Sequence, residues 1–114
     1  MDFIRYLTKF KEDRKMVTYM MLMKLTDQGI KNVRQAPERY EGAIKAFEKT
    51  GGKLIGFWIA VGRYDYISIG ESANDETALA FAVALSELGN VRVESVKLIG
   101  RDQFTSLIKS LPKL

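Results

Sequence analysis

The stretch KLIGFWIAVGRYDYISIGE, residues 53–71, holds two apolar runs that meet at Gly62-Arg63-Tyr64-Asp65-Tyr66. Residues 53–61 and 64–71 are rich in aromatic and β-branched side chains, a composition typical of strands. Gly62-Arg63 predicts a two-residue type II′ hairpin loop, because glycine supplies the positive φ that the first loop position needs. The stretch therefore predicts an antiparallel hairpin with a carboxylate, Asp65, near the start of its second strand.

Two further strands flank this hairpin in the sequence. Residues 16–25 (MVTYMMLMKL) are apolar in both alternating sets, and residues 91–99 (VRVESVKLI) form a second run with strand composition. Because each run is bounded by a helix-capping residue or a glycine, both are predicted as strands of the same domain.

Helices are predicted between these strands. Thr26 is a candidate N-cap for residues 27–49, Pro37 predicts that a second helical piece starts there, and Gly51-Gly52 ends it. Asn74 caps a helix over residues 75–88. The apolar positions that keep helical spacing in the first of these regions are Ile30, Val33, Tyr40, Ile44 and Phe47.

The order β-α-β-β-α-β predicts an α+β, ferredoxin-like fold with an antiparallel four-stranded sheet and helices on one face. The strand over residues 53–61 is apolar on both faces, with Ile55, Phe57, Ile59 and Val61 on one and Leu54, Trp58 and Ala60 on the other. A lone domain would expose that second face, so we expect a second copy to cover it across a two-fold axis, alone or within a larger ring of dimers. In a competing arrangement the chain is a monomer whose own N-terminal helix covers the face.

The two ends of the chain are predicted as additional helices. Phe3, Leu7 and Phe10 recur at i, i+4 and i+7, so residues 1–15 predict an amphipathic extension that precedes the domain of residues 16–114. Residues 101–110 predict a last short helix with Phe104, Leu107 and Ile108 facing inward.

Composition excludes several chemistries. The chain has no Cys and no His, which excludes thiol and imidazole catalysis, disulfides and haem ligation by either residue. A metal would have to be bound by oxygen ligands alone, and no glycine motif for nucleotides is present, so we expect no metal and no cofactor.

Charge and hydropathy constrain the partners. The net charge of +4 is spread along the chain, with five Lys/Arg against three Asp/Glu in residues 1–15, so nucleic-acid binding is not favoured. No apolar run reaches the roughly 20 residues of a membrane span, and Asp2 and Arg5 interrupt any secretory signal. We therefore expect no transmembrane segment and a cytoplasmic location.

Five sequence blocks, spread over residues 16–112, resemble the GYD domain family. They are Thr26-Asp27-Gln28-Gly29-Ile30-Lys31-Asn32, Ala36-Pro37-Glu38-Arg39, Gly51-Gly52-Lys53-Leu54 with Gly56-Phe57, Gly62-Arg63-Tyr64-Asp65, and Leu88-Gly89-Asn90-Val91-Arg92. The family is named for a Gly-Tyr-Asp signature. In this chain Arg63 stands between the glycine and the tyrosine, so the signature has the form Gly-x-Tyr-Asp.

The resemblance implies a small prokaryotic protein of the dimeric α+β barrel type, a group mostly without assigned function. More distantly, the Gly-x-Tyr-Asp-Tyr hairpin is similar to the effector-binding domains of Lrp/AsnC-type regulators, which bind amino acids at subunit interfaces. Residues 1–15 are too short to hold the helix-turn-helix of such regulators. Likeness of fold is an analogy and does not assign a function.

Asp65 is the candidate catalytic residue. In an apolar barrel, desolvation would raise the pKa of its carboxyl and make it a general base. In the alternative, structural interpretation the carboxylate accepts backbone N–H groups around the turn, or pairs with Arg63 or Lys24. Strand alternation predicts that Tyr64 and Tyr66 lie on the face opposite Asp65, which weakens a simple Tyr–Asp acid–base pair.

The remaining candidates are ligand-binding residues. Tyr19 and Trp58 could form an aromatic wall, although such residues also fill interface cores. Lys24 ends its strand and could attract an anionic ligand. The candidate ligand-binding set is Tyr19, Lys24, Trp58, Arg63, Tyr64 and Asp65.

Two functions are consistent with these observations. The first is a non-catalytic homo-oligomeric module that binds a small molecule or a protein at subunit interfaces, and the absence of His favours it. The second is a cofactor-free enzyme of the monooxygenase or isomerase kind, with Asp65 as base.

Overall fold

A single antiparallel sheet with helices on one side forms the protein in the computed structural model, which describes residues 15–114. The strands are β1 (Val17–Leu25), β2 (Lys53–Ile59), β3 (Tyr66–Ser72) and β4 (Val91–Leu98). The α-helices are α1 (Asp27–Lys31), α2 (Ala36–Lys49), α3 (Asp75–Glu87) and α4 (Arg101–Lys109), with a 3-10 turn at Val33–Gln35. This confirms the predicted ferredoxin-like βαββαβ fold, whereas the predicted helix over residues 1–15 falls outside the described residues except for Lys15, which precedes β1.

The strands lie in the order β2-β3-β1-β4, so β1 and β3 are central. On β1, Tyr19, Met21 and Met23 face the helices and are buried. Because antiparallel partners share a face, Ser68 of β3 and Ser95 of β4 lie beside Met21 on the helical side. No helix within the described residues is long and apolar enough to cross a membrane.

The helix boundaries follow the predicted capping residues. The Thr26 side chain accepts a hydrogen bond from the Gly29 backbone N–H, and the Asn74 side chain accepts one from the Thr77 N–H at 2.8 Å. Pro37 lies in the first turn of α2, where its missing N–H has no helical partner to lose. Gly51 follows α2 with φ +87°, a conformation that glycine adopts without strain.

The predicted grouping of side chains on β2 is wrong at one point. The β2–β3 register shifts between Leu54 and Gly56, so Leu54 lies opposite Gly70 and Phe57 lies opposite Ser68. Both side chains therefore share the helical face, whereas the sequence pattern assigns them to opposite faces. The extra residue of the irregularity, Ile55, reverses the alternation from that position onward.

Several apolar residues that are predicted to pack inward, or that keep helical spacing, are exposed. Phe104, Leu107 and Ile108 of α4 are about half exposed, and every residue of the 101–114 segment is exposed, so the prediction that they face inward is wrong. Ile30 is likewise exposed. The apolar stripe of α4 is real in the sequence, but it does not pack on the sheet of its own chain.

Candidate functional site

The loop between β2 and β3 is longer than predicted. The Ala60 N–H donates to the Asp65 carbonyl at 2.8 Å, and the four residues 61–64 lie beyond this bond. The two-residue II′ turn is therefore wrong, although Gly62 does have a positive φ of +150°. A four-residue loop is also a common hairpin connection, and composition alone does not separate the two lengths.

Asp65 ties this loop to β1. Its N–H donates to the Met23 carbonyl at 2.9 Å, and its Oδ2 accepts the Leu25 N–H at 2.8 Å. The carboxylate thus supplies an acceptor for β1 where the backbone of β3 has turned away into the loop. This geometry is that of the structural interpretation, in which the carboxylate binds a backbone N–H rather than a substrate proton.

The two tyrosines that flank Asp65 lie on opposite faces of the sheet. Tyr64 donates to the Glu94 carboxylate, and Glu94 lies opposite Leu22 on the face away from the helices. Tyr66 packs on the helical side, 5.6 Å from Phe57 between ring centroids. The prediction that both share one face is wrong, because residues 64 and 65 precede β3 and do not follow its alternation.

Tyr64 contacts two charged residues, Arg63 at its ring and Glu94 at its hydroxyl. The Arg63 guanidinium carbon lies 5.8 Å from the ring centroid, within the range of a cation–π contact. The hydrogen bond to Glu94 raises the pKa of the Tyr64 hydroxyl above its usual value of 10.0, with desolvation as a second cause. Tyr64 is therefore a neutral donor at physiological pH.

Tyr19 and Trp58 do not form one aromatic wall. Tyr19 lies opposite Gly70 on the helical face. Trp58 lies opposite Ile67 on the face away from the helices, here called the open face, where its side chain is 49% exposed. The sheet itself separates the two rings. Lys24 is exposed on the same open face as Trp58, directly opposite Arg92.

Tyr19 belongs instead to a polar cluster at the start of α3. Its hydroxyl donates to Asp75 Oδ1 at 3.1 Å, and the Lys97 ammonium lies 3.0 Å from the same oxygen. Burial, followed by the Asp75 hydrogen bond, raises the pKa of Tyr19. Within residues 15–114, no group of three or more acidic side chains is arranged to hold a metal ion.

This cluster predicts an acid-sensitive contribution to stability. The hydrogen bond from Lys97 lowers the pKa of Asp75 below its ordinary 3.8, so the carboxylate stabilises the fold above the unfolded pKa and stops doing so as pH falls through the folded pKa. We expect Asp75→Asn to be less stable than the unsubstituted protein at pH 7, and the difference to shrink as pH falls below the unfolded pKa and to vanish once pH is below the folded pKa. Urea unfolding across this range measures it, with Glu76→Gln as control; a pH-independent difference would contradict the prediction.

Hydrogen bonds join two of the sequence blocks that resemble the GYD family, residues 26–32 and residues 88–92. The Thr26 Oγ1 donates to the Gly89 carbonyl at 2.5 Å and accepts from the Gly29 N–H at 3.1 Å. The Thr26 N–H donates to the Asn90 carbonyl at 3.0 Å, and Gln28 Nε2 donates to the Leu88 carbonyl at 3.1 Å. The start of α1 and the α3–β4 loop are thereby joined over more than 60 residues of sequence.

A cavity of about 130 Å³ lies between α2, α3 and the helical face of the sheet. Sequence reasoning placed ligands at subunit interfaces and missed this site. A signal for it was present, because β3 alternates large open-face residues with small ones, Ser68, Gly70 and Ser72, on the helical face. Of the candidate ligand-binding residues, Tyr19 lines this cavity.

Comparisons with known proteins agree on the family. The GYD domain model matches residues 19–108, which run from β1 into α4. A Thermus thermophilus protein named glutamine synthetase and cystathionine beta-lyase binding protein is 25% identical over 85 residues, which are 74% of this chain and 90% of that protein. No solved structure matches the chain significantly. Since the family match spans most of the sequence and all four strands, this chain belongs to the GYD domain family.

Proposed function

We propose that this chain is a non-catalytic binding module that pairs with a second copy through the open face of its sheet and takes a metabolic enzyme as its protein partner. The observation that carries the proposal is the apolar character of that face, on the side of the sheet away from the helices. The name of the Thermus thermophilus relative, a binding protein for two enzymes, supports the second half.

The open face has the layout of an interface. Its two central rows are mostly apolar, Glu94 lies beside Leu22 on the neighbouring strand, and its ends carry the charges of Lys24, Arg92 and Glu71. An apolar centre with a charged rim is typical of surfaces that proteins bury against one another. The apolar members of the face are Met20, Leu22, Trp58, Ile67, Ile69, Val96 and Leu98.

Trp58 is well placed to be the anchor of this interface. A Cβ on Gly56 would lie 2.3 Å from the Trp58 ring, so the six-membered ring of the indole occupies the space above the glycine. The half-exposed ring adds a broad apolar surface to this face. Tryptophan is enriched among the residues that dominate interface energies.

A second copy is the partner that fits this face most simply. A two-fold axis brings the same apolar surface onto itself and closes the assembly, with sheets packed about 10 Å apart. Lys24 and Arg92 stand directly opposite each other on neighbouring strands, and such like-charged pairs are unfavourable. Glu94, the neighbour of Arg92 on this face, supplies one negative charge, and an acidic group from the partner, small molecule or protein, would balance the second positive charge.

Substitution at Trp58 tests the pairing. Native mass spectrometry and sedimentation of the unsubstituted protein should show a dimer or an assembly of dimers, and Trp58→Lys should weaken self-association by at least about thirtyfold. Val83→Lys is the control, because Val83 is 67% exposed on α3, away from the open face. A monomeric unsubstituted protein would overturn the pairing, and a variant that lacks residues 1–14 then shows whether that segment had covered the face.

The α4 stripe is the proposed contact for the enzyme partner. Phe104, Leu107 and Ile108 are exposed along this helix, so a protein that binds there would bury a continuous apolar surface. We expect the chain to bind glutamine synthetase or cystathionine β-lyase of its own host in a calorimetric titration.

Phe104→Asp should weaken that binding at least tenfold and leave self-association unchanged, with Val83→Asp as the matched control. If neither enzyme binds, the partner half of the proposal fails, while the oligomeric state remains an independent result.

A further inference from the structure

We propose that the cavity between α2 and α3 is a binding site for a small monocarboxylate with a body the size of one ring or a short alkyl chain. The cavity lies on the helical side of the sheet, opposite the face proposed for self-association. This inference goes beyond the proposed protein-binding role, and either proposal can be correct without the other.

The empty space follows from the residues of β3. Ser68 and Ser72 have short side chains on the floor beneath the two helices, whereas the space over Gly70 is occupied by Phe47, whose ring lies 3.1 Å from the position of a Cβ on that glycine. Phe47 of α2 and Phe81 of α3 close one end, with ring centroids 5.3 Å apart. Large rings at one end and short side chains on the floor thus leave space between the helices and the sheet.

Most of the lining is apolar. Around the serines lie Met21, Met23, Ala43, Ile44 and Leu85. Apolar lining with a small number of placed polar groups is the usual composition of small-molecule sites.

Tyr19 lies at the end where Phe47 packs over Gly70, whereas three polar side chains lie near the start of α2. Arg39, Tyr40 and Tyr66 line the cavity there, and the two tyrosine rings meet edge to face at 6.5 Å between centroids. The Arg39 Nη2 donates to the Asn32 carbonyl at 2.8 Å, which fixes the guanidinium and leaves further N–H donors. Arg39 forms no ion pair with any residue of the described part of the chain.

These three side chains favour an anionic head group. Burial raises the pKa of the Tyr66 hydroxyl, and the charge of Asp65 adds to this effect while that of Arg39 opposes it, so the hydroxyl remains a neutral donor. A guanidinium with two phenol hydroxyls can donate several hydrogen bonds to a carboxylate, whereas an ammonium ligand would be repelled by Arg39. The positive charge of Arg39 therefore favours a ligand that carries a negative charge.

Size limits the body of the ligand. An apolar cavity of about 150 Å³ is known to bind benzene, and this cavity, at about 130 Å³, is of similar volume. A single ring or a chain of about six carbons fits the space, with its carboxylate at Arg39. Nucleotides and other large ligands exceed it.

The test uses four probes on the full chain in calorimetric titrations: benzoate, hexanoate, neutral benzyl alcohol and cationic benzylamine. We expect both carboxylates to bind at least tenfold more tightly than benzyl alcohol, and benzylamine not to bind. Absence of carboxylate binding, or equal binding of benzylamine, would overturn the proposal.

Variants locate the site. Arg39→Met should weaken benzoate binding at least tenfold without changing that of benzyl alcohol, while Arg34→Met, at an exposed arginine outside the cavity, should match the unsubstituted protein. Ala43→Leu should fill the cavity from α2 and abolish binding of every probe. Should that variant fail to fold, Ser68→Val fills the floor instead, and benzoate binding unaffected by a folded filling variant would place the ligand elsewhere and refute the assignment.

Discussion

Replacing Gly29 with alanine should reduce the free energy of unfolding by about 3 kcal/mol, an effect at the upper end of those caused by overpacking. A Cβ at this position would lie 2.1 Å from the Asn90 carbonyl oxygen and 2.9 Å from Leu25 Cδ2. The first contact is with backbone, so no side-chain rotation can relieve it.

The carbonyl that would have to move is already in use. Asn90 O accepts the Thr26 N–H at 3.0 Å, and the same loop accepts the Thr26 hydroxyl through Gly89. Shifting the loop by the ångström or so that a methyl group requires would stretch these bonds together. The loss should therefore exceed the gain of about 1 kcal/mol that alanine brings to a helix.

Gly42 supplies the matched control. It lies inside α2, is exposed, and a Cβ there would meet nothing within 4 Å. Gly42→Ala should stabilise the protein by about 0.5 to 1 kcal/mol, because alanine restricts the unfolded chain and favours the helix. Urea unfolding of both variants measures the pair, and a Gly29→Ala variant as stable as Gly42→Ala would show that the α1–loop contact does not hold the layers together.

The features that sequence reasoning predicted correctly are local ones. Thr26 and Asn74 cap helices through N–H groups only three residues away, and Pro37 fits the first turn of α2, where its missing N–H has no helical partner. Element order follows from such signals and from the periodicity of apolar residues. The fold class then follows because few topologies accommodate βαββαβ.

The features that it missed depend on contacts between distant residues. The loop length is set by Asp65, whose carboxylate binds Leu25 forty residues away, and periodicity within β3 does not report this. The register shift at Leu54 and Gly56 is likewise a property of two strands together. The cavity needs the relative placement of α2, α3 and β3, although the small residues of β3 hinted at it.

The outward position of α4 has a different cause. An amphipathic stripe predicts that a helix will be buried against something, but it does not say whether the cover belongs to the same chain. Phe104 and Leu107 keep the helical spacing that was used to predict inward packing, yet they are exposed. The prediction that α4 has an apolar surface is correct, and the prediction that its own chain buries this surface is wrong.

Removal of the Asp65 carboxylate is the second change with a large expected effect. Asp65→Ala leaves the Leu25 N–H without its acceptor and should lower the free energy of unfolding by about 2 kcal/mol, whereas Asp65→Asn keeps an acceptor oxygen and should lose about 1 kcal/mol. Glu41→Ala, at an exposed position of α2, is the control.

Amide exchange distinguishes this structural role from a catalytic one. Because the bond to Leu25 is the only link between the carboxylate and β1, Asp65→Ala should accelerate exchange of the Leu25 amide much more than that of Met21, which lies deeper in the same strand. If Asp65→Ala changes neither the exchange rate of the Leu25 amide nor the free energy of unfolding, the structural role is wrong and the general-base role becomes the better explanation. A graded loss, with alanine worse than asparagine, would explain why an aspartate stands at this position: the loop leaves the sheet there, and its carboxylate replaces the missing strand as the acceptor.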